Sequence, residues 1–244
     1  MNSPTNAEHY LKLIKDQLNA FPKKAITKEE EEFVGRYLGT KKKYLGVKTG
    51  DVLKIAKDIA RDQDAIPAEE MSKLLSQLFS TNVIEDHIVG GKIFTLLSPE
   101  NRSKISFDLL KSWLSKTNGW VEVDVICQSS FTAPEVLARW GDWQKAIKKF
   151  SKSSNIQVRR ASLVMQNIST RKADEKKIQD LAFETVDQLK SEKEVLITKA
   201  VSWLLRCLVC QCKDDVKEYL LKNESTLPRI AFRETMKKIE TGKK

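Results

Sequence analysis

The sequence predicts an all-α fold, a curved superhelix (solenoid) of HEAT-like helix pairs that share a concave wall. Apolar residues recur at helical spacing in almost every segment, and the alternation typical of strands is nearly absent. Helix-capping sequences recur along the chain, and the helices pair into units of about 40 residues, the period of HEAT repeats. We therefore expect one domain over 1–244, with an N-terminal helix in 1–26, stacked helix pairs over 27–241 and a tail at 242–244.

The first helices follow from local patterns. The segment 10–18 shows the 3.6-residue period. Thr27 and Glu30 have the spacing of a capping box, which predicts that a second helix begins there. A basic loop follows at 41–49, and we expect Thr49 to cap the next helix.

Later helix starts are marked by proline and by two further capping sequences. Every proline stands at a predicted helix start or in a linker, as expected because a helix tolerates proline only in its first turn. Capping boxes are predicted from Thr132 to Glu135 and from Ser191 to Glu194. Asn118-Gly119 predicts a turn between two helices, since its neighbours have the helical pattern.

The charge balance is strongly basic, with 43 Lys and Arg against 33 Asp and Glu and a net charge of +10. Such a balance suggests a polyanionic partner, either nucleic acid or an acidic membrane surface, while the alternative is a merely solubilising surface. No signal peptide is visible, and no apolar run approaches the ~18 residues of a membrane span. We expect a cytoplasmic protein, associated with the nucleoid if the source is prokaryotic.

The cysteines do not predict a disulfide or a metal site. Cys207, Cys210 and Cys212 fall within six residues of one predicted helix, and only two histidines exist in the chain. A zinc site would need a second ligand pair at a suitable distance, and none is visible. We expect thiols buried in a reducing compartment, together with Cys127, and we expect no metal or cofactor.

One stretch near the middle combines an aromatic residue with an acid. If a helix starts at Gly119, Trp120 and Asp124 project from one face, because residues four apart are neighbours on a helix. Arg160 follows Trp120 by 40 positions, and Trp203 follows Arg160 by 43. Positions one repeat apart lie side by side in a solenoid. The spacing therefore predicts that these four residues form one site on the concave wall.

Each of these residues also has an ordinary structural explanation. Tryptophans in helices usually belong to the core, which is what we expect of Trp113, Trp140 and Trp143. Asp124 could simply favour a helix start, and Arg160 could be solvated. The joint pattern favours a site, because aromatic rings between basic residues suit a nucleic-acid backbone and its sugars. An acid in a basic groove weakens binding of a polyanion, so its presence suggests a chemical role.

These residues resemble the AlkD family of DNA alkylation-repair glycosylases, over nearly the whole chain. The motifs that carry the resemblance are Tyr37 with Leu45-Gly46-Val47-Lys48-Thr49, Trp120-x-x-x-Asp124, Arg159-Arg160-Ala161 and Lys199-Ala200-x-x-Trp203-x-x-Arg206. The resemblance implies a basic concave groove for duplex DNA and excision of N3- and N7-alkylated purines without metal or cofactor. The chain departs from the family at Gly119, where members often have an aromatic residue.

The resemblance assigns the functional aromatic and acid to Trp120 and Asp124, the groove arginine to Arg160 and the second tryptophan to Trp203. We therefore expect Asp124, Trp120 and Trp203 to act in catalysis. Contacts to double-stranded DNA with alkylated bases are expected from Arg160, Tyr37, Lys48, Thr49, Arg159, Lys199, Arg206 and Arg233. The expected protein is a monomer without membrane association.

Three functions compete for this pattern. The first is a monofunctional DNA glycosylase, which leaves an abasic site. The second is a binding module that recognises damaged or branched DNA without cleaving the glycosidic bond. The third is a protein-protein scaffold, the commonest use of such repeats, which leaves the combination of Trp, Asp and Arg unexplained. Retention of Asp124 favours the enzyme over the binding module.

Overall fold

The computed structural model describes residues 6–21 and 27–243, and these residues form sixteen α-helices and no strand. The expected all-α class is confirmed. The helices are α1 (Ala7–Ala20), α2 (Lys28–Leu38), α3 (Thr49–Arg61), α4 (Ala68–Leu78), α5 (Ile84–Leu96), α6 (Pro99–Ser103), α7 (Phe107–Leu114), α8 (Trp120–Cys127), α9 (Ala133–Ala138), α10 (Trp140–Ser151), α11 (Ile156–Val164), α12 (Asn167–Lys172), α13 (Lys176–Leu189), α14 (Val195–Leu208), α15 (Lys213–Lys222) and α16 (Arg229–Thr241). Residues 1–5, 22–26 and 244, which belong to the predicted N-terminal segment and tail, lie outside the described residues.

Two of the predicted capping boxes are confirmed. Thr27 Oγ1 accepts from the Glu30 N–H at 3.2 Å, and the Glu30 carboxylate accepts from the Thr27 N–H at 3.0 Å. Thr132 and Glu135 form the second box, at the start of α9. Both succeed because the capping side chains need only their own helix turn as a partner. Asn118-Gly119 does connect two helices, α7 and α8.

Two predicted caps are wrong. Thr49 is already the first residue of α3, and the extended residue before it, Lys48, is the N-cap without a side-chain hydrogen bond. Ser191 does not open α14, which begins at Val195. The reason is tertiary, because Glu192 pairs with Arg159 at 2.7 Å and is thereby held outside the helix.

The chain consists of two compact units, Met1–Ile126 and Cys127–Lys244. In the first unit, α3 packs on α5, and α1 packs on α4. Trp113 is fully buried there, as predicted, against the rings of Phe79 and Phe94. None of the described helices has the combination of length and apolarity that a membrane span requires.

The second unit is built around α14, which packs against α11, α12 and α16. Trp143 is buried as predicted, whereas Trp140 is half-buried and has the Lys177 ammonium 5.3 Å from its ring centroid. All four cysteines are free thiols. Cys127 and Cys207 are buried as expected, whereas Cys212 is half-buried and Cys210 is exposed. The prediction that all of them are buried is therefore wrong for these last two.

Candidate functional site

The first unit places Trp120 and Asp124 in one helix. Trp120 is the first residue of α8, one residue later than the start considered from sequence, and Asp124 lies one turn further on. Asp124 is only 7% exposed, whereas Trp120 is half-buried. The two side chains keep the helical i, i+4 relation that puts them on one face. The helix thus holds a largely buried carboxylate behind an accessible indole.

Glu122 fixes the start of α8. Its side chain is buried, and Oε2 accepts hydrogen bonds from the backbone N–H groups of Asn118 and Gly119, the latter at 3.1 Å. Its other oxygen lies 3.8 Å from Lys42 Nζ. Burial raises the pKa of Glu122, although these N–H groups and Lys42 act in the opposite direction. Because Glu122 binds the donors that would otherwise be unpaired at the helix start, it orients the turn that carries Trp120.

Gly119 is required by a close backbone approach. A Cβ at this position would lie 2.1 Å from the Leu38 carbonyl oxygen and 2.9 Å from the Gly39 carbonyl carbon. Gly39 ends α2 in the left-handed region, with φ of 70°. The end of α2 therefore occupies the space into which a side chain at position 119 would project. This contact explains in physical terms why the chain has glycine where the AlkD family often has an aromatic residue.

The close approach of the end of α2 to the start of α8 also brings Tyr37 against Trp120. The Trp120 indole N–H donates to the Tyr37 carbonyl oxygen at 2.7 Å. The two rings meet edge to face, with centroids 5.7 Å apart and an interplanar angle of 88°. Tyr37 is 64% exposed, so the pair presents an aromatic surface to solvent that one hydrogen bond and one ring contact hold in place.

Lys48 and Thr49 are exposed at the start of α3, next to a loop that a buried acid organises. The Glu85 carboxylate accepts from the N–H groups of Leu45 and Gly46, each at 2.9 Å. Burial raises the pKa of Glu85, whereas its backbone hydrogen bonds act to lower it. A lysine beside an exposed helix N-terminus is a suitable arrangement for binding a phosphate, because the free N–H groups and the helix dipole add to the lysine charge.

In the second unit, α11 and α14 carry the remaining predicted residues. Arg160 is 4% exposed, and its Nη1 donates to the Leu196 carbonyl oxygen at 2.7 Å. Lys199, Trp203 and Arg206 follow each other at helical spacing on the incompletely buried side of α14. This face has the composition that suits a phosphate backbone, with an indole between two cations.

The arginines differ in how freely they can bind a ligand. Arg159 pairs with Glu192 through two hydrogen bonds, at 2.7 and 3.0 Å, and also donates to the Ser153 and Ser154 carbonyls. The contact of Arg159 with a phosphate stays a prediction. The geometry does not favour this contact, because Glu192 already neutralises the guanidinium.

Two arginines of α14 and α16 share a single acid. Arg206 donates to Ser202 Oγ and lies 4.0 Å from the Glu234 carboxylate, and burial lowers its pKa. Arg233 is exposed and lies 3.2 Å from that carboxylate. The proximity of Glu234 weakens the field of both cations, so their predicted contacts to DNA also stay predictions.

The structure thus groups the predicted residues within each unit, Tyr37, Trp120 and Asp124 in the first and Lys199, Trp203 and Arg206 in the second. The single site that would combine both groups stays a prediction. Sequence reasoning missed Glu122 and Glu85, the acids that hold the loops. Glu122 could have been found, since it stands three residues after Gly119, the spacing of the acid in a capping box. In 6–21 and 27–243 no cluster of His, Cys, Asp and Glu is placed to hold a metal ion.

The sequence profile of the family described as DNA alkylation repair enzyme matches residues 15–239, which include every predicted site residue. The chain belongs to this DNA alkylation repair enzyme family. Membership gives the protein a general role in alkylation repair and implies DNA as its partner. A search among curated proteins finds no significant match.

Solved structures agree with the fold of this alkylation repair protein. A predicted DNA alkylation repair enzyme from Enterococcus faecalis is 20% identical, with a TM-score of 0.71 over 89% of this chain and 96% of that one. AlkD2 from Streptococcus mutans is 17% identical, with a TM-score of 0.63 over 95% and 98%. The protein smu.31 from Streptococcus mutans UA159 is 22% identical, with a TM-score of 0.58 over 85% and 98%. These likenesses confirm the AlkD-type helical-repeat fold.

Proposed function

We propose that this alkylation repair protein is a monofunctional DNA glycosylase. It hydrolyses the N-glycosidic bond of cationic N3- or N7-alkylated purines in duplex DNA and leaves an abasic site. The observation that carries the proposal is the arrangement in α8, where the Asp124 carboxylate lies one turn from an indole that Tyr37 holds at the surface. Within a basic chain of a DNA repair family, an acid in this position needs a chemical reason.

The leaving base makes the reaction possible with few groups. An N3- or N7-alkylated purine is positively charged, so the electron pair of the breaking C1′–N bond neutralises it and no general acid has to protonate it. The sugar passes through an oxocarbenium-like state, as in other glycoside hydrolyses. A water molecule then adds to C1′ and loses a proton. Asp124 is suited to stabilise the sugar cation and to accept this proton.

The aromatic rings would act on the same cation. Indole faces attract positive charge, so Trp120, and Trp203 if the two units share one site, would favour the cationic sugar or base. Arg160 would hold a phosphate near the lesion, and Lys48, Thr49, Lys199, Arg206 and Arg233 would contact the remaining backbone. We further propose that the protein acts as a monomer in the cytoplasm, on the nucleoid if the source is prokaryotic.

Incubation with methylated duplex DNA, followed by chromatography of the released bases, tests this function directly. The proposal expects 7-methylguanine or 3-methyladenine in the supernatant and abasic sites in the duplex. A preparation that binds damaged or branched duplexes and releases no base would overturn the enzyme in favour of the binding module. The low exposure of Asp124 is the observation that favours that second function.

A further inference from the structure

A cationic cleft lies in the first unit, where residues of α2 and of the following segment 39–43 line it. Its volume is about 760 Å³, within the range of ligand sites, and Asn82 is one of the residues that line it. Lys28, Gly35 and Arg36 line the cleft from one face of α2, and Lys41 and Lys43 line it from the segment that follows α2. None of the residues predicted to act in catalysis lines this cleft.

Four of its cations have no partner among the described residues. The side chains of Lys28, Arg36, Lys41 and Lys43 make no ion pair or hydrogen bond with any residue in 6–21 or 27–243. Lys42 is different, because it is held by the Lys116 carbonyl at 3.3 Å and lies beside the Glu122 carboxylate. Among the described residues that line the cleft there are two acids, Glu31 and Glu32, against five cations, so the charge of this lining is positive.

Hydrogen bonds hold in place the backbone of the loop that carries Lys41 and Lys43. The Lys43 N–H donates to the Asn82 carbonyl at 2.9 Å, and the Ile84 N–H donates to the Lys43 carbonyl at 3.0 Å. The Thr40 N–H donates to the Gly35 carbonyl at 3.0 Å, which ties the loop to α2. The loop lysines are therefore presented from a backbone that is held in place before any ligand binds, which lowers the entropic cost of binding an anion.

The cleft is continuous with the surroundings of Trp120. Gly39 belongs to its wall, and a Cβ on Gly39 would lie 3.8 Å from the Trp120 ring. Successive phosphates on one strand are separated by only about 3.4 Å of helix axis. A backbone that passes Trp120 therefore has its next phosphates within reach of the cleft.

We infer that this cleft binds the phosphodiester backbone of duplex DNA beside the lesion, through Arg36, Lys41 and Lys43. The inference rests on the proposed function only in taking duplex DNA as the polyanion. Unpaired cations repel one another in the free protein, and phosphate oxygens relieve this repulsion. The cleft thus adds affinity for the flanking duplex and takes no part in bond cleavage.

The test compares two triple variants that remove the same charge. The first is Arg36→Gln, Lys41→Gln and Lys43→Gln. The control is Lys213→Gln, Lys217→Gln and Lys222→Gln, three exposed lysines of α15 that likewise make no ion pair with the described part of the chain. Affinity for a methylated duplex is measured at several salt concentrations, and base release is measured with protein in large excess over DNA.

The cleft variant should bind at least about tenfold more weakly near 0.1 M salt, with a salt dependence shallower by about 2 to 3 in log–log slope, whereas the control should change much less. Its maximal rate of base release at saturation should equal that of the parent, because the cleft does not touch the reacting sugar. Equal binding by the two variants would overturn the inference and leave the glycosylase proposal intact. If the parent releases no base while the cleft variant selectively loses DNA binding, the glycosylase proposal is overturned and the inference about the cleft stands.

Inorganic phosphate distinguishes a backbone site from a site for a small phosphate compound. At matched ionic strength, millimolar phosphate should compete with DNA no better than chloride does. Stronger competition that disappears in the cleft variant would assign the cleft to a free phosphate compound and overturn the assignment to the DNA backbone.

Discussion

Asp124 is the residue on which the proposed chemistry depends. Asparagine has nearly the same volume, so Asp124→Asn should preserve packing while removing the charge that opposes the sugar cation. Loss of such a preorganised group typically lowers the rate by about 10²–10³. We expect this loss in single-turnover release of 7-methylguanine, with DNA affinity equal or higher because an anion has left the path of the phosphates.

The matched control for that substitution is Asp214→Asn, an exposed acid of α15. It makes the same change in net charge and should leave base release unaltered. Parent-like excision by Asp124→Asn would show that Asp124 is structural. Thermal unfolding of both variants separates this outcome from a loss of fold.

Burial determines the protonation state of His87, which lies beside Glu122. Its side chain is fully buried, Nε2 donates to the Thr81 carbonyl at 3.0 Å, and Nδ1 lies 3.6 Å from Glu122. Burial, aided by the positive charge of Lys42, lowers the pKa of His87 from 6.5 to about 4. The ring is therefore neutral at neutral pH, and its contact with Glu122 is not a salt bridge.

The pH dependence of stability follows from this shift. Between pH 4 and 6.5 the unfolded chain binds a proton on His87 that the folded chain excludes. The stabilisation is complete above pH 6.5 and is lost as the pH falls toward 4. Urea unfolding over this range should give a steeper rise of stability with pH for the parent than for His87→Gln, which keeps a donor for Thr81.

The acids nearby act in the opposite direction, since burial raises the pKa values of Glu85 and Glu122. Both acids remain in the parent and in His87→Gln, so the difference between their curves of stability against pH reports mainly on His87. Parallel curves for the parent and His87→Gln would contradict the assigned shift.

The junction between α2 and α8 is the element that positions Trp120, and Gly119 tests it. A methyl group at Gly119 would meet the Leu38 carbonyl at 2.1 Å, so Gly119→Ala must push the end of α2 away. Overpacking of this kind costs about 1–3 kcal/mol. We expect lower thermal stability and weaker DNA binding. Gly141→Ala in α10 is the control, because no described residue lies within 4 Å of its added methyl group, and an unchanged Gly119→Ala protein would refute the close approach.

What could be predicted from sequence depended on how local the interaction was. The capping boxes at Thr27 and Thr132 were visible because each needs only one helix turn. The capping box predicted at Ser191 was wrong because Glu192, which lies inside that box, pairs with Arg159, 32 positions before Ser191. The loop acid Glu85 contacts residues 38 to 40 positions away, and no local pattern reveals such a partner. The position of Trp120 at a helix start was predictable, whereas its hydrogen bond to Tyr37, 83 positions away, was not.

At the scale of the molecule, the net charge of +10 predicts binding that depends steeply on salt. Counting only exposed cations, the candidates for phosphate contacts are six, namely Arg36, Lys41, Lys43, Lys48, Lys199 and Arg233. Each phosphate contact contributes about 0.9, which gives a log–log slope near about −5. Fluorescence anisotropy of a labelled duplex across a KCl series measures this slope, and affinity indifferent to salt would rule out a backbone-binding surface.

The helix α2 contains no buried residue, although it carries Tyr37. An isolated helix of this length is marginal in water, so α2 depends on its cap and on the Trp120 contact to stay folded. It can therefore open locally while the core behind it remains intact. Trypsin cleaves after Lys28 and Arg36, both of which lie in this helix. The first cut in a brief digestion should thus fall here, and a bound duplex that covers the segment would slow it.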